Sequence, residues 1–81
     1  MSETVNIAFD GEVDAIGMNC PLPILRTKKA LAEMETGQVL HVLATDPGSL
    51  KDFPAFAKQT GNELVKQQEA NRVFEFFLKR K

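Results

Sequence analysis

Short segments of a single hydrophobic period, separated by glycine or proline, divide this chain, and that punctuation limits the folds open to it. Val5, Ile7 and Phe9 alternate with smaller or polar residues, Asp10-Gly11 offers a two-residue turn, and Glu12 to Ile16 continues the alternation. Residues 5–16 therefore read as a hairpin. From Pro21 to about Met34 the period lengthens: Ile24, Thr27, Leu31 and Met34 share one helical face, and Gly37 suits a left-handed stop. Gln38 to Thr45 reverts to a strand, with Leu40, Val42 and Ala44 on one face and Val39, His41 and Leu43 on the other. Asp46-Pro47-Gly48 turns the chain, and Ser49 with Asp52 resembles a capping box for a second helix that ends at Gly61. Leu50, Phe53 and Ala57 form its apolar face, while Pro54 is expected to break or restart its first turn. A weak strand begins at Leu64-Val65, and a stronger one spans Val73 to Lys79 with Phe74, Phe76 and Leu78 inward. The order is strand, helix, strand, helix, strand, strand, with a possible extra strand at the N-terminus. Strands that alternate imply a sheet covered on one face, hence two layers of α+β type.

Composition narrows the function. Eighty-one residues make one domain, 1–81, with 43% hydrophobic and 26% charged residues, a balance suited to a folded soluble chain. Ten Lys+Arg against eleven Asp+Glu leave a net charge of -1, so a general basic footprint for nucleic acid is missing. No apolar run approaches the roughly 18 residues of a membrane span, and Met1-Ser2-Glu3-Thr4 does not open a signal peptide, so a cytoplasmic location is expected. One cysteine forms no internal disulfide, and one cysteine with one histidine builds no zinc site. No cofactor is expected. Cys20 is left as the residue to explain.

Cys20 precedes Pro21-Leu22-Pro23, where the first helix begins. Pro21 suits the first helical position, because its missing N–H would have no partner there, and the residue before a proline is pushed to extended geometry. A sulfur at that cap faces the positive end of the helix dipole, which favours thiolate over thiol. Pro23 removes a second donor, so the free amides near the sulfur are chiefly those of Leu22 and Ile24, with Arg26 and Lys29 able to fold back toward it. The alternative is a small buried thiol. The two flanking prolines favour the reactive reading, because they fix the direction of the sulfur.

The run Asp14-Ala15-Ile16-Gly17-Met18-Asn19-Cys20-Pro21-Leu22-Pro23 resembles the signature of the TusA/SirA-like sulfur-carrier family. Lys29, Leu31, Gly37, Leu40, Val42, Asp46-Pro47, Asp52, Pro54, Gly61 and Leu64 also fall at that family's spacing, and the likeness spans residues 12–80. It implies a two-layer α/β sandwich, with a mixed four-stranded sheet and both helices on one face. It also implies that Cys20 carries a persulfide, taken from a cysteine desulfurase or rhodanese-type donor and relayed to an acceptor protein. The supporting positions of the signature are Asp14, Gly17, Pro21 and Pro23. Some relatives hold a second cysteine where this chain has Ala57, so transfer here is expected to run between proteins. tRNA thiolation, molybdenum-cofactor assembly and other sulfur metabolism are all consistent with the family.

The remaining polar groups have plainer readings. His41 is expected to face solvent, on the sheet face away from Leu40 and Val42. Met18 and Cys20 alone do not make a copper(I) site. Asp14 and Asp46 either orient the cysteine loop or serve as turn residues. Arg26, Lys28 and Lys29 form a basic cluster within two turns of Cys20, either a partner-docking patch or a solvated helix face. A non-catalytic regulatory or RNA-binding module and a thiol redox switch are the competing functions. Salt-sensitive RNA retention would mark the first, and peroxide-driven dimerisation the second. From its place before a helix, the Cys20 thiol is expected to ionise below the ordinary range of free cysteine. Alkylation rate against pH measures this, and a midpoint at or above a free-cysteine control is the contrary result.

Overall fold

The computed structural model describes residues 9–19 and 21–81. Four strands and two helices follow in the expected order: β1 (Gly11–Ala15), α1 (Leu22–Ala32), β2 (Val39–Ala44), α2 (Ser49–Thr60), β3 (Glu63–Ala70) and β4 (Val73–Lys79). The sheet order is β1-β2-β4-β3, with β1 parallel to β2 and the other pairs antiparallel. A parallel neighbour needs a crossover, and α1 supplies it. Alternation sorts the central strands cleanly. Leu40, Val42 and Ala44 of β2 and Phe74, Phe76 and Leu78 of β4 are buried, and Val13 and Ala15 join them from β1. Leu31 from α1 and Phe53, Phe56 and Ala57 from α2 complete the same core, so both helices cover one face. The Phe53 and Phe76 rings stack 4.3 Å apart, locking α2 onto β4.

Several expectations at element ends are corrected. Asp10-Gly11 is not a hairpin turn: Gly11 opens β1, and neither residue takes the positive φ that such a turn requires. Asp10 already lies along β2, its amide donating to the Val39 carbonyl at 2.7 Å and its carboxylate accepting from the Val39 amide at 3.0 Å. Residues 5–8 of the expected N-terminal strand lie outside the described residues. α1 ends at Ala32 with Glu33 as its cap, so Gly37 does not stop it. Gly37 instead takes φ +90 in the following loop and donates its amide to Arg80.

The capping box is not formed either. Gly48 is the cap, and Ser49 is the first helical residue, 1% exposed. Leu50 points outward at 39% exposure, and Phe56 takes its place on the apolar face. α2 runs through Pro54 without a break. The ladder bond that proline deletes would have gone to the Leu50 carbonyl, on a turn open to water, which limits the cost. Gly61 ends α2 at φ +80, its amide donating to Ala57, as expected.

β3 is longer than its polar sequence suggested, and its register slips between Leu64 and Lys66, leaving Val65 as a bulge. A two-residue loop joins it to β4, with Asn71 at φ 53 and Arg72 at φ 66 between the paired Ala70 and Val73. Two successive left-handed residues make a type I′ turn, whose twist matches the strands. Asn tolerates that geometry; arginine adopts it at a cost of about 1–2 kcal/mol. Arg72→Gly is therefore expected to stabilise the domain by about 0.5–1 kcal/mol, after allowing for the extra freedom of glycine when unfolded. Urea unfolding measures it, and a lower midpoint for Arg72→Gly would be the opposite outcome.

Candidate functional site

The parallel register ends at Ala15↔Ala44, and the chain leaves the sheet there in a tight turn. Met18 donates its amide to the Ala15 carbonyl at 3.1 Å, and Gly17, third in that turn, takes φ +82. A side chain on Gly17 would meet nothing within 4 Å, so backbone conformation and not lack of space calls for glycine. The Asp14 carboxylate accepts the Ile16 amide at 3.1 Å, which is turn duty. The Gly17 amide donates to the Thr45 hydroxyl at 2.9 Å, across to the end of β2. The loop is thus held before Cys20 by its own strand and by the neighbouring one.

On the far side, Leu22 donates its amide to the Asn19 carbonyl at 2.9 Å, and Leu25 donates to the Pro21 carbonyl at 3.0 Å. α1 starts one residue later than the sequence suggested: Pro21 is the cap, at φ -99 and ψ 17, and Pro23 sits in the first turn. The cap position read for Cys20 is therefore corrected, and the placement of Cys20 itself lies outside the described residues. The Leu22 amide is also spoken for, because Asn19 closes a turn with it. Pro23 is buried and Ile24 packs partly against the core, which anchors the start of α1. Asn19 and Pro21 are exposed, as are Ile16, Leu22 and Leu25, at 48%, 49% and 53%. Exposed apolar side chains thus flank this segment in sequence on both sides. Met18 packs partly against the core.

The basic cluster divides. Arg26 and Lys29 line a groove of about 650 Å³ between α1 and β1, together with Glu12, Asp14 and Glu33. Their charges are set among carboxylates, so the groove is mixed and not basic. Lys28 lies on the other flank of α1, in a smaller hollow with Arg80 and Lys81. Arg80 Nε donates to the Leu31 carbonyl at 2.7 Å, satisfying a late carbonyl of α1 and placing a cation at the negative helix end.

His41 is on the sheet face away from the helices, as its register requires, yet it is only 8% exposed. Its ring stacks 4.5 Å from Phe77, and Phe9 covers it at 4.8 Å. Nδ1 lies 3.0 Å from Glu12 Oε2; a carboxylate only accepts, so Nδ1 carries the hydrogen. Solvent exposure was expected from strand alternation alone, which cannot see an aromatic cover from outside the strand. Among the described residues, no three His, Cys, Asp or Glu side chains gather as metal ligands, and no helix is long and apolar enough to cross a membrane. Sequence reasoning also missed Thr45, because only the parallel register brings it beside Gly17.

Fold and loop define a class: a two-layer α+β domain whose one cysteine lies in sequence between a pinned glycine turn and a proline-started helix. The family model described as Sulfurtransferase TusA matches residues 11–80. The sulfur carrier protein TusA of Allochromatium vinosum is 65% identical over 72 residues, covering 89% of this chain and 95% of that protein. The sulfur carrier protein TusA of Pseudomonas syringae pv. syringae is 35% identical over 82 residues, covering 100% of this chain and 98% of that one. The crystal structure of a SirA-like protein from Desulfitobacterium hafniense matches with a TM-score of 0.78 at 33% identity, covering 86% of this chain and 96% of that one. This chain belongs to the TusA family.

Proposed function

We propose that this protein is a sulfur carrier and that Cys20 is the atom-bearing residue. The observation that carries the reading is that the one cysteine of the sequence falls between two fixed points, the Gly17 turn and the buried Pro23. In the proposed step, the Cys20 thiolate attacks the terminal sulfur of a donor persulfide. One S–S bond forms, the donor's S–S bond breaks, and the donor cysteine leaves as thiolate; the SH group moves with its hydrogen, and no net oxidation occurs. Relay repeats this in reverse roles, with an acceptor thiolate attacking the sulfur held on Cys20. A cysteine desulfurase or rhodanese-type protein is the donor, and the acceptor serves tRNA thiolation, molybdenum-cofactor assembly or other sulfur metabolism. Ala57, 4% exposed in the core, gives no second thiol, so both steps run between proteins. A reducing cytoplasm fits a thiol that must stay free between transfers.

Cys20→Ser is expected to stay folded and accept no sulfur, whereas the wild type gains one sulfur that a reductant removes. A serine hydroxyl is too weakly acidic to act and forms no persulfide. Intact-mass measurement after incubation with desulfurase, cysteine and pyridoxal phosphate checks both. Sulfur on the serine variant, or none on the wild type with several donors, would overturn the reading.

Docking is assigned to the exposed apolar residues and the groove described above. The double variant Arg26→Glu/Lys29→Glu is expected to slow transfer from the donor while costing under about 0.5 kcal/mol of stability, since both side chains are exposed. Lys28→Glu, on the other flank of α1, is expected to leave transfer unchanged. Transfer rates at low and high salt distinguish the two; a double variant at the wild-type rate would mean a merely solvated face.

A further inference from the structure

We propose that Thr45 is a positioning residue for Cys20, acting through its hydrogen bond to the Gly17 amide; the inference rests on reading Cys20 as the carrier thiol. Three successive amides in the approach to Cys20 are each held by a different acceptor. Ile16 donates to the Asp14 carboxylate, Met18 donates to the Ala15 carbonyl, and Gly17 donates to the Thr45 hydroxyl. The first two bonds close within the end of β1 and its turn, and they would survive if that turn swung as a unit. The Thr45 bond reaches 28 residues along the chain to the neighbouring strand. Together with the packing of Met18 against the core, it fixes where the turn sits relative to the sheet.

The need for it arises from how the ladder ends. β1 and β2 stay in register as far as Ala15↔Ala44, after which both chains diverge. β2 runs into the Asp46 turn, where Ser49 donates its amide to the Asp46 carbonyl and α2 begins. β1 runs into Gly17, whose left-handed φ turns the chain away from the sheet. Beyond the last pair, a side-chain hydroxyl takes over from the backbone as acceptor. Threonine suits that duty, because branching at Cβ restricts its rotamers and so the direction of the hydroxyl. The far end of the segment is anchored independently, by the Asn19–Leu22 bond and by buried Pro23. Releasing the Thr45 end removes the hydrogen bond that ties the turn to the neighbouring strand, and the segment leading to Cys20 then samples more positions, so less of it is held in the arrangement that presents the thiol.

Thr45→Val keeps the branch and the volume but removes the acceptor. Iodoacetamide alkylation of Cys20 at neutral pH is expected to slow roughly three- to tenfold in this variant, the range that one hydrogen bond of ordinary net strength commands. Sulfur acceptance from a persulfidated desulfurase should fall alongside it, while circular dichroism stays that of the wild type and the thermal midpoint falls by no more than about ten degrees. Thr45→Ser, which keeps the hydroxyl, should restore both rates. Should Thr45→Val lose its fold, Thr45→Ala carries the same comparison. Alkylation needs no sulfur donor, so it tests Thr45 even if the wild type accepts no sulfur, which would fail the carrier reading alone. An unchanged alkylation rate in the valine variant, or a serine variant no faster than it, overturns the proposal.

Discussion

The parallel pairing of β1 with β2 is the constraint on which the rest of the molecule depends. Five residues pair from Gly11↔Leu40 to Ala15↔Ala44, and parallel neighbours cannot be joined by a tight turn. The chain must cross over the sheet between them, which is why α1 exists and why it lies on the core face. The same register brings the exit of β1 beside the exit of β2. Gly17 then meets Thr45, and the segment carrying Cys20 begins at a height set by a strand elsewhere in the sequence. Core and loop are thus consequences of one pairing. Val13 and Ala15 lie under the core face of the sheet, and the residues that follow them form the loop.

Much of this was legible in the sequence, for a physical reason. Alternation with period two and a solvent-free face go together, so the spacing of Leu40, Val42, Ala44, Phe74, Phe76 and Leu78 identifies the core. Local signals shared by two structures were less informative. Asp10-Gly11 carries the composition of a hairpin turn, but the Asp10 carboxylate is used to hold Val39, and the turn is not made. Asn71-Arg72 forms the hairpin despite lacking glycine, because strand pairing on both sides outweighs the preference of arginine. Ser49 offered a cap and is instead buried as the first helical residue.

The site divides along the same line. Gly17, Pro21 and Pro23 could be read from short-range chemistry, as could the turn role of Asp14. Thr45 could not, since nothing in its neighbourhood marks it, and its partner is 28 residues away. The expected basic cluster dissolved for a comparable reason. Arg26, Lys28 and Lys29 are adjacent in sequence, but 100° of helical rotation per residue puts Lys28 on another flank, beside Arg80 and Lys81. Charges counted along a helix become a patch only after its faces are known.

The bulge in β3 bears on how such a domain behaves in a crowded solution. β3 is the outermost strand on its side of the sheet, eight residues long, and its unpaired backbone groups offer a template to any extended chain that drifts past. The slipped register at Val65 kinks that border and interrupts the regular spacing a docking strand would have to match. Exposed Glu63, Lys66 and Glu69 add charge along the same border, which an incoming strand would have to accommodate. Two copies of this protein are therefore poorly matched to zip together through their β3 borders. For a molecule proposed to work by meeting a succession of different proteins, a border that resists self-pairing leaves one fewer competitor at each encounter.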